Sequence, residues 1–211
     1  MQAIPRELTQ NNWITMLFLI GFILLFFMKL YKPSRFLGYS ISFFTRGFIE
    51  KRAEEKPAIF STFHVLIYSF CVLTLSLFIH TLIPETQTQN NLISYIYLIS
   101  FTFIYMIIRS LLDYSFSKLL NLSDYIRYFI FTKVGYLYTL SIWLFPILII
   151  YNYGYKNNNF LWGSFLILLG IRFGLVFYNN KKLIIKHLFY FILYLCALEI
   201  APLFIILKIL K

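Results

Sequence analysis

Glu199, Arg172, Arg109 and Asp113 are ionisable residues set in long apolar runs. A charge at the centre of a spanning helix costs roughly 2.5–3.5 kcal/mol, so each must be paired, hydrated, neutralised or put to use. Glu199 is the sharpest case, because the run 188–207 (LFYFILYLCALEIAPLFIIL) holds no other charge. A carboxyl there can relay a proton, meet an arginine or hold a helix contact together. Pro202 cannot donate to the carbonyl of Leu198, which leaves an acceptor free beside that carboxyl. Ala197 and Ala201 fall on roughly the opposite side of the same helix, spaced for close helix contact.

Arg172 is the preferred partner for Glu199 and Arg109 the second, since by residue count Arg172 and Glu199 lie at similar depth. Gly170-x-x-x-Gly174, beside Arg172, would admit a closely approaching helix. Further back, Thr102, Tyr105, Arg109, Asp113 and Ser117 recur at spacings of three or four and share one helix face. Arg109 and Asp113 can pair directly four residues apart; snorkelling of Arg109 and a functional site are the alternatives. His64 shares a stripe with Tyr68 and Cys71, while His80 and His187 stand near helix ends. Each histidine is read mainly as tolerated rather than functional, and Cys71 and Cys196 as packing residues.

The elements that must position these groups are membrane helices. The 211 residues are 60% hydrophobic and 13% charged, about half the charged share of an ordinary soluble domain. Apolar segments at 13–28, 58–83, 92–119, 129–151, 160–178 and 185–207 are each near the length that crosses a bilayer. The expected fold is an all-α polytopic bundle of about six transmembrane helices in a single integral membrane domain. The first segment reads as a retained helix rather than a signal peptide, because its positive cluster follows the apolar run.

Lys and Arg outnumber Asp and Glu by 19 to 8. Part of that excess fits an AT-rich genome, but its placement carries topology. Lys29, Lys32, Arg35, Arg46, Lys51, Arg52 and Lys56 stand between the first two spans, whereas 84–91 (PETQTQNN) has none. Lys118, Arg127 and Lys133 flank the third connection, and Lys181, Lys182 and Lys186 the fifth. The positive-inside rule puts these connections in the cytoplasm and both termini outside it. Within the first connection Leu37, Ile41, Phe44 and Phe48 form one stripe of a helix over about 35–50. That helix is expected to lie in the cytoplasmic headgroup layer, with Lys32, Arg35, Arg46, Lys51 and Arg52 at the membrane surface. A helix packed under the bundle fits the same pattern.

No phosphate-binding glycine loop, HExxH or cysteine–histidine cluster at metal spacing occurs, so neither a metal nor a cofactor is expected. The clustered acids that would hold a metal for lipid-diphosphate chemistry are missing too. The segment 187–208, and above all its core YLCALEIAP at 194–202, resembles the C-terminal signature of an uncharacterised family of polytopic inner-membrane proteins from Bacteroidota. The basic connection after the first span and the stretch 136–146 (YLYTLSIWLFP) are similar as well. The resemblance implies the bacterial inner membrane and marks Glu199 and Pro202 as signature positions, without an activity.

Three functions remain in play. The first is a non-enzymatic inner-membrane subunit for assembly, secretion or the envelope, whose buried cluster of Glu199, Arg172, Arg109, Asp113 and Tyr105 fixes packing. The second is a proton- or solute-coupled carrier using Glu199. The third is a membrane enzyme on a lipid or polyprenyl substrate, with Asp113, His64 or Glu199 as acid–base groups. Expected partners are the bilayer, anionic headgroups on its cytoplasmic face, and a membrane protein or a second copy of the chain; nucleic acid is not among them.

Overall fold

A computed structural model describes residues 12–45, 47–54, 61–82, 92–119, 123–154 and 156–179. The described residues form seven helices and no strand: α1 (Asn12–Tyr31), α2 (Pro33–Ile41), α3 (Phe48–Glu54), α4 (Thr62–Leu82), α5 (Leu92–Leu119), α6 (Ser123–Tyr153) and α7 (Asn158–Asn179). Five of them, α1 and α4 to α7, are long and apolar enough to cross a membrane. The chain is an all-α polytopic bundle. The sixth expected span, 185–207, lies outside the described residues, and so do Glu199, Ala197, Ala201 and Pro202.

Two helices make the centre. Along α4 and α6 the same order of contacts recurs: His64 lies near Phe131 and Tyr138, Phe70 near Phe145, and Cys71 beside Ser141. The two therefore run parallel. α1 runs against both, with Trp13 on His80 and Tyr153 donating to Thr15. α5 opposes α4, Tyr95 meeting Ser76 and Phe103 meeting Tyr68. α7 opposes α6, joined by Tyr151–Asn158 at one end and Asn179–Tyr136 at the other. Pro146 lies inside α6 without ending it. Proline is tolerated in such helices because neighbouring groups can satisfy the carbonyl it leaves free.

The first connection differs from one surface-lying helix. Pro33 opens α2 at a position where its missing N–H costs nothing. The chain then turns from Ser42, and Gly47 has φ 95°, a left-handed conformation that favours glycine. The result is a helical hairpin, α2 and α3, against the side of α6. Ser42 and Thr139 hydroxyls share a 2.6 Å hydrogen bond, and Trp143 Nε1 donates to the Ser40 carbonyl at 2.9 Å. Thr139 lies about 12 Å along α6 from Phe131, the level at which α4 begins. Leu37, Ile41 and Phe44 remain exposed, so the apolar stripe is free to face lipid. Tyr39 on the other face is 1% exposed, and Phe48 leaves the stripe to rest on Tyr39 and Gly38. Both sides of α2 are thus used, because the hydroxyl-bearing side finds partners on α6.

Candidate functional site

The α4–α6 seam carries the densest described polar grouping. On α4, His64, Tyr68 and Cys71 follow at spacings of four and three; His64 and Cys71 face α6, and Tyr68 meets Phe103 of α5. The Ser141 hydroxyl donates to Cys71 Sγ at 3.0 Å and to the Leu137 carbonyl at 3.1 Å. The Tyr138 ring lies 6.5 Å from that of His64 and 6.0 Å from that of Tyr39. His64 Nε2 and Tyr68 Oη are buried and make no hydrogen bond to a described residue. Such groups cost on the order of 1–3 kcal/mol each, so they call for a partner.

Two expected site residues, Arg109 on α5 and Arg172 on α7, stand on helices packed against α6. Arg172 is 8% exposed, with its guanidinium 5.6 Å from the Phe173 ring centre. Tyr105, one turn before Arg109, is half-buried against the apolar core. Cys71, read from sequence as a packing residue, accepts a hydrogen bond across the seam from Ser141. The His64–Tyr68–Cys71 stripe was the signal available in the sequence.

Asp113 takes a partner from another helix. Lys133 Nζ on α6 lies 3.9 Å from its carboxylate, and the two side chains are only 3% and 4% exposed. Lys133 was read as a topology marker flanking a connection; the fold turns it inward and ties α5 to α6.

At the far end of α4, His80 packs edge-on against Trp13 at 5.1 Å and near Tyr95, whose hydroxyl bonds Ser76 at 2.8 Å. At the near end, the α2–α3 hairpin carries Lys32, Arg35 and Arg52. Arg52 is 8% exposed, Lys51 is exposed, and Arg46 lies outside the described residues. Burial pushes the Tyr39 phenol up to about 12 from its usual 10, against the opposing pull of Arg52 and Arg35. On α7, a β-carbon placed at Gly163, Gly170 or Gly174 would meet nothing within 4 Å. That face is open among the described residues.

A family model for a domain of unknown function, DUF4271, matches residues 14–210. The chain belongs to the DUF4271 family. No curated protein and no solved structure matches it. The DUF4271 match takes in the α4–α6 seam, the α2–α3 hairpin and the open face of α7, and it extends through Glu199 and Pro202. Among the described residues of this DUF4271 chain, no three His, Cys, Asp or Glu side chains group as a metal site would require. What the arrangement does supply is a set of cross-helix polar ties, α4 to α6, α2 to α6, α4 to α5 and α5 to α6.

Proposed function

We propose that this DUF4271 protein is a non-enzymatic subunit of the inner membrane of a Bacteroidota cell, acting in assembly or secretion at the envelope. One observation carries the reading: the bundle's buried polar side chains join helix to helix. Cys71–Ser141, Ser42–Thr139, Ser76–Tyr95 and Asp113–Lys133 each cross from one helix to another. In lipid, where apolar contact alone does not drive helices together, polar ties of this kind hold a bundle in one arrangement. The end that bears Lys32, Arg35, Lys51, Arg52 and Lys133 faces the cytoplasm, and both termini lie on the other side. The functional output is contact with another membrane protein. Extraction in a mild, non-denaturing detergent followed by affinity purification from the native cell tests this. A second protein in fixed stoichiometry is expected; a chain that migrates alone under every mild extraction would sink the reading.

A second reading, a proton- or solute-coupled carrier, is favoured by the buried His64 Nε2 and Tyr68 Oη, which make no hydrogen bond to a described residue. Glu199 would be its titrating acid. Glu199→Gln separates the two. A carrier accumulates at normal levels and loses coupled uptake, whereas a packing acid leaves less folded protein in the membrane.

A further inference from the structure

We propose that the α2–α3 hairpin re-enters the membrane from the end at which α4 and α6 begin, reverses near mid-bilayer, and presents Leu37, Ile41 and Phe44 to the acyl chains of that one leaflet. This goes beyond the subunit and carrier readings and rests on neither.

The depth of the hairpin follows from its contacts. The spans of α1, α4 and α6 run Trp13–Tyr31, Thr62–Leu82 and Tyr128–Tyr153, so their midpoints fall at Phe22, Val72 and the Leu140–Ser141 pair. Those midpoints lie near one level: the Phe22 ring meets that of Phe145 at 5.3 Å, and Cys71 accepts a hydrogen bond from Ser141. α1 ends at Tyr31, about 13 Å along the helix from Phe22. The chain then comes back. Tyr39 meets Tyr138 at 6.0 Å, Ser42 bonds Thr139, the Ser40 carbonyl accepts from Trp143, and the Phe44 ring lies 5.7 Å from that of Trp143. Trp143 is about 3 Å along α6 from Ser141. On the returning limb Ile49 stands against Gly135, about 12 Å back along α6 from Trp143. A helix lying along the headgroups would stay at the level of Tyr31 instead of climbing α6.

The way α2 ends is a second, independent observation. In water the last carbonyls of a helix can bond solvent, whereas in hydrocarbon each must find a donor within the protein. Here the Phe36 carbonyl accepts from Ser40 Oγ, that of Tyr39 from Ser42 Oγ, and that of Ser40 from Trp143 Nε1. The Ile41 carbonyl accepts from the amides of Phe44 and Thr45 and from Thr45 Oγ1. The segment 36–45 (FLGYSISFFT) holds no charge, with Lys32 and Arg35 before it and Arg46 and Glu50 after it. Leu37, Ile41 and Phe44 are exposed on the side of α2 away from the buried Tyr39. Apolar side chains turned outward at that depth meet acyl chains.

The test attaches a spin label to full-length protein in phosphatidylcholine vesicles through Leu37→Cys, Ile41→Cys, Phe44→Cys or Phe101→Cys. Cys196→Ala removes one native thiol, and Cys71 stays because it is buried. Collisions with oxygen, which concentrates in hydrocarbon, set against those with a water-soluble nickel chelate report the depth of each label. Phe101 is exposed on α5 close to Phe103, which meets Tyr68 of α4, and serves as the deep reference. The Ile41→Cys label should lie about 6 Å deeper than the Leu37→Cys label. The Phe44→Cys label should match that of Phe101→Cys. All four side chains are exposed, and the size-exclusion profile of each variant reports its folding. One shallow depth for the three hairpin labels would overturn the proposal in favour of a helix in the headgroup layer. A Phe44→Cys label shielded from both oxygen and chelate would overturn the acyl-chain contact, because protein would then cover the stripe. Hydrogen exchange of the unsubstituted protein in lipid nanodiscs needs no variant. The amides of 37–45 should exchange as slowly as those at the centre of α5, and rapid exchange there would overturn the dip.

Discussion

α4 and α5 are both apolar helices with mean hydropathy of 2.1 and 1.7 over their spans, yet more than half of α4 is buried in the bundle while most of α5 is exposed. The difference lies in where their polar groups sit. On α5, Tyr95, Thr102, Tyr105, Arg109 and Asp113 share one stripe, while Ile93, Ile96, Phe101, Ile104, Ile108 and Leu111 are turned outward. On α4, His64 and Cys71 face α6, whereas Tyr68 and Ser76 turn toward α5 and His80 toward α1. A helix that needs polar partners on several sides has to be surrounded; one that needs them on a single side can stand at the rim.

The largest effect that would break this contrast is a cavity in the central helix. Phe70 on α4 is 0% exposed and Phe101 on α5 is 64% exposed. Phe70→Ala should cost about 3–5 kcal/mol of stability, the usual penalty for emptying a buried phenylalanine site. Phe101→Ala should stay within about 0.5 kcal/mol, as an outward side chain remote from packing. Thermal unfolding of both variants in the same mild detergent checks the pair, and equal losses would refute the ranking of the two helices.

The stripe on α5 is tested next through its tie to α6. Lys133→Met leaves Asp113 buried without its lysine. Breaking a buried pair costs roughly 3–5 kcal/mol, and a contact of 3.9 Å belongs at the lower end of that range. Asp113→Leu combined with Lys133→Met should restore most of the loss, because neither charge then remains to be desolvated. A double variant no better than the single one would mean that the pair does more than join α5 to α6.

How far these features were legible in sequence follows from the range of the interactions. Apolar length marks a spanning helix locally, so α1, α4, α5, α6 and α7 could be read directly from the chain. The α5 stripe was legible for the same reason, through its spacing of three and four. The approach of Lys133 to Asp113 was not. Arg109 lies four residues away and Lys133 twenty, and only the docking of α5 on α6 brings the latter close. The single helix expected over 35–50 failed to anticipate the turn because Gly47 interrupts an otherwise regular stripe, and a lone glycine does not state that the chain reverses. His64, Tyr68 and Cys71 were visible as a stripe, but their neighbours Tyr138 and Ser141 on α6 and Phe103 on α5 are brought to them only by the fold.

The smallest effects sharpen the same contrast at two glycines. On α6, a β-carbon at Gly135 would lie 2.9 Å from Ile49 Cγ2 of α3, and Ile49 is itself buried. Gly135→Ala must push the hairpin outward, at about 1–3 kcal/mol for overpacking, offset in part by the roughly 0.5–1 kcal/mol that alanine gains over glycine within a helix. On α7, a β-carbon at Gly174 meets nothing within 4 Å. Gly174→Ala should therefore gain that same helix preference with no clash, and raise stability slightly. Chemical unfolding of the two variants side by side decides it. A loss at Gly174 as large as that at Gly135 would mean that another helix packs closely on this face of α7 in the folded protein, and that α7 is no more a rim helix than α4.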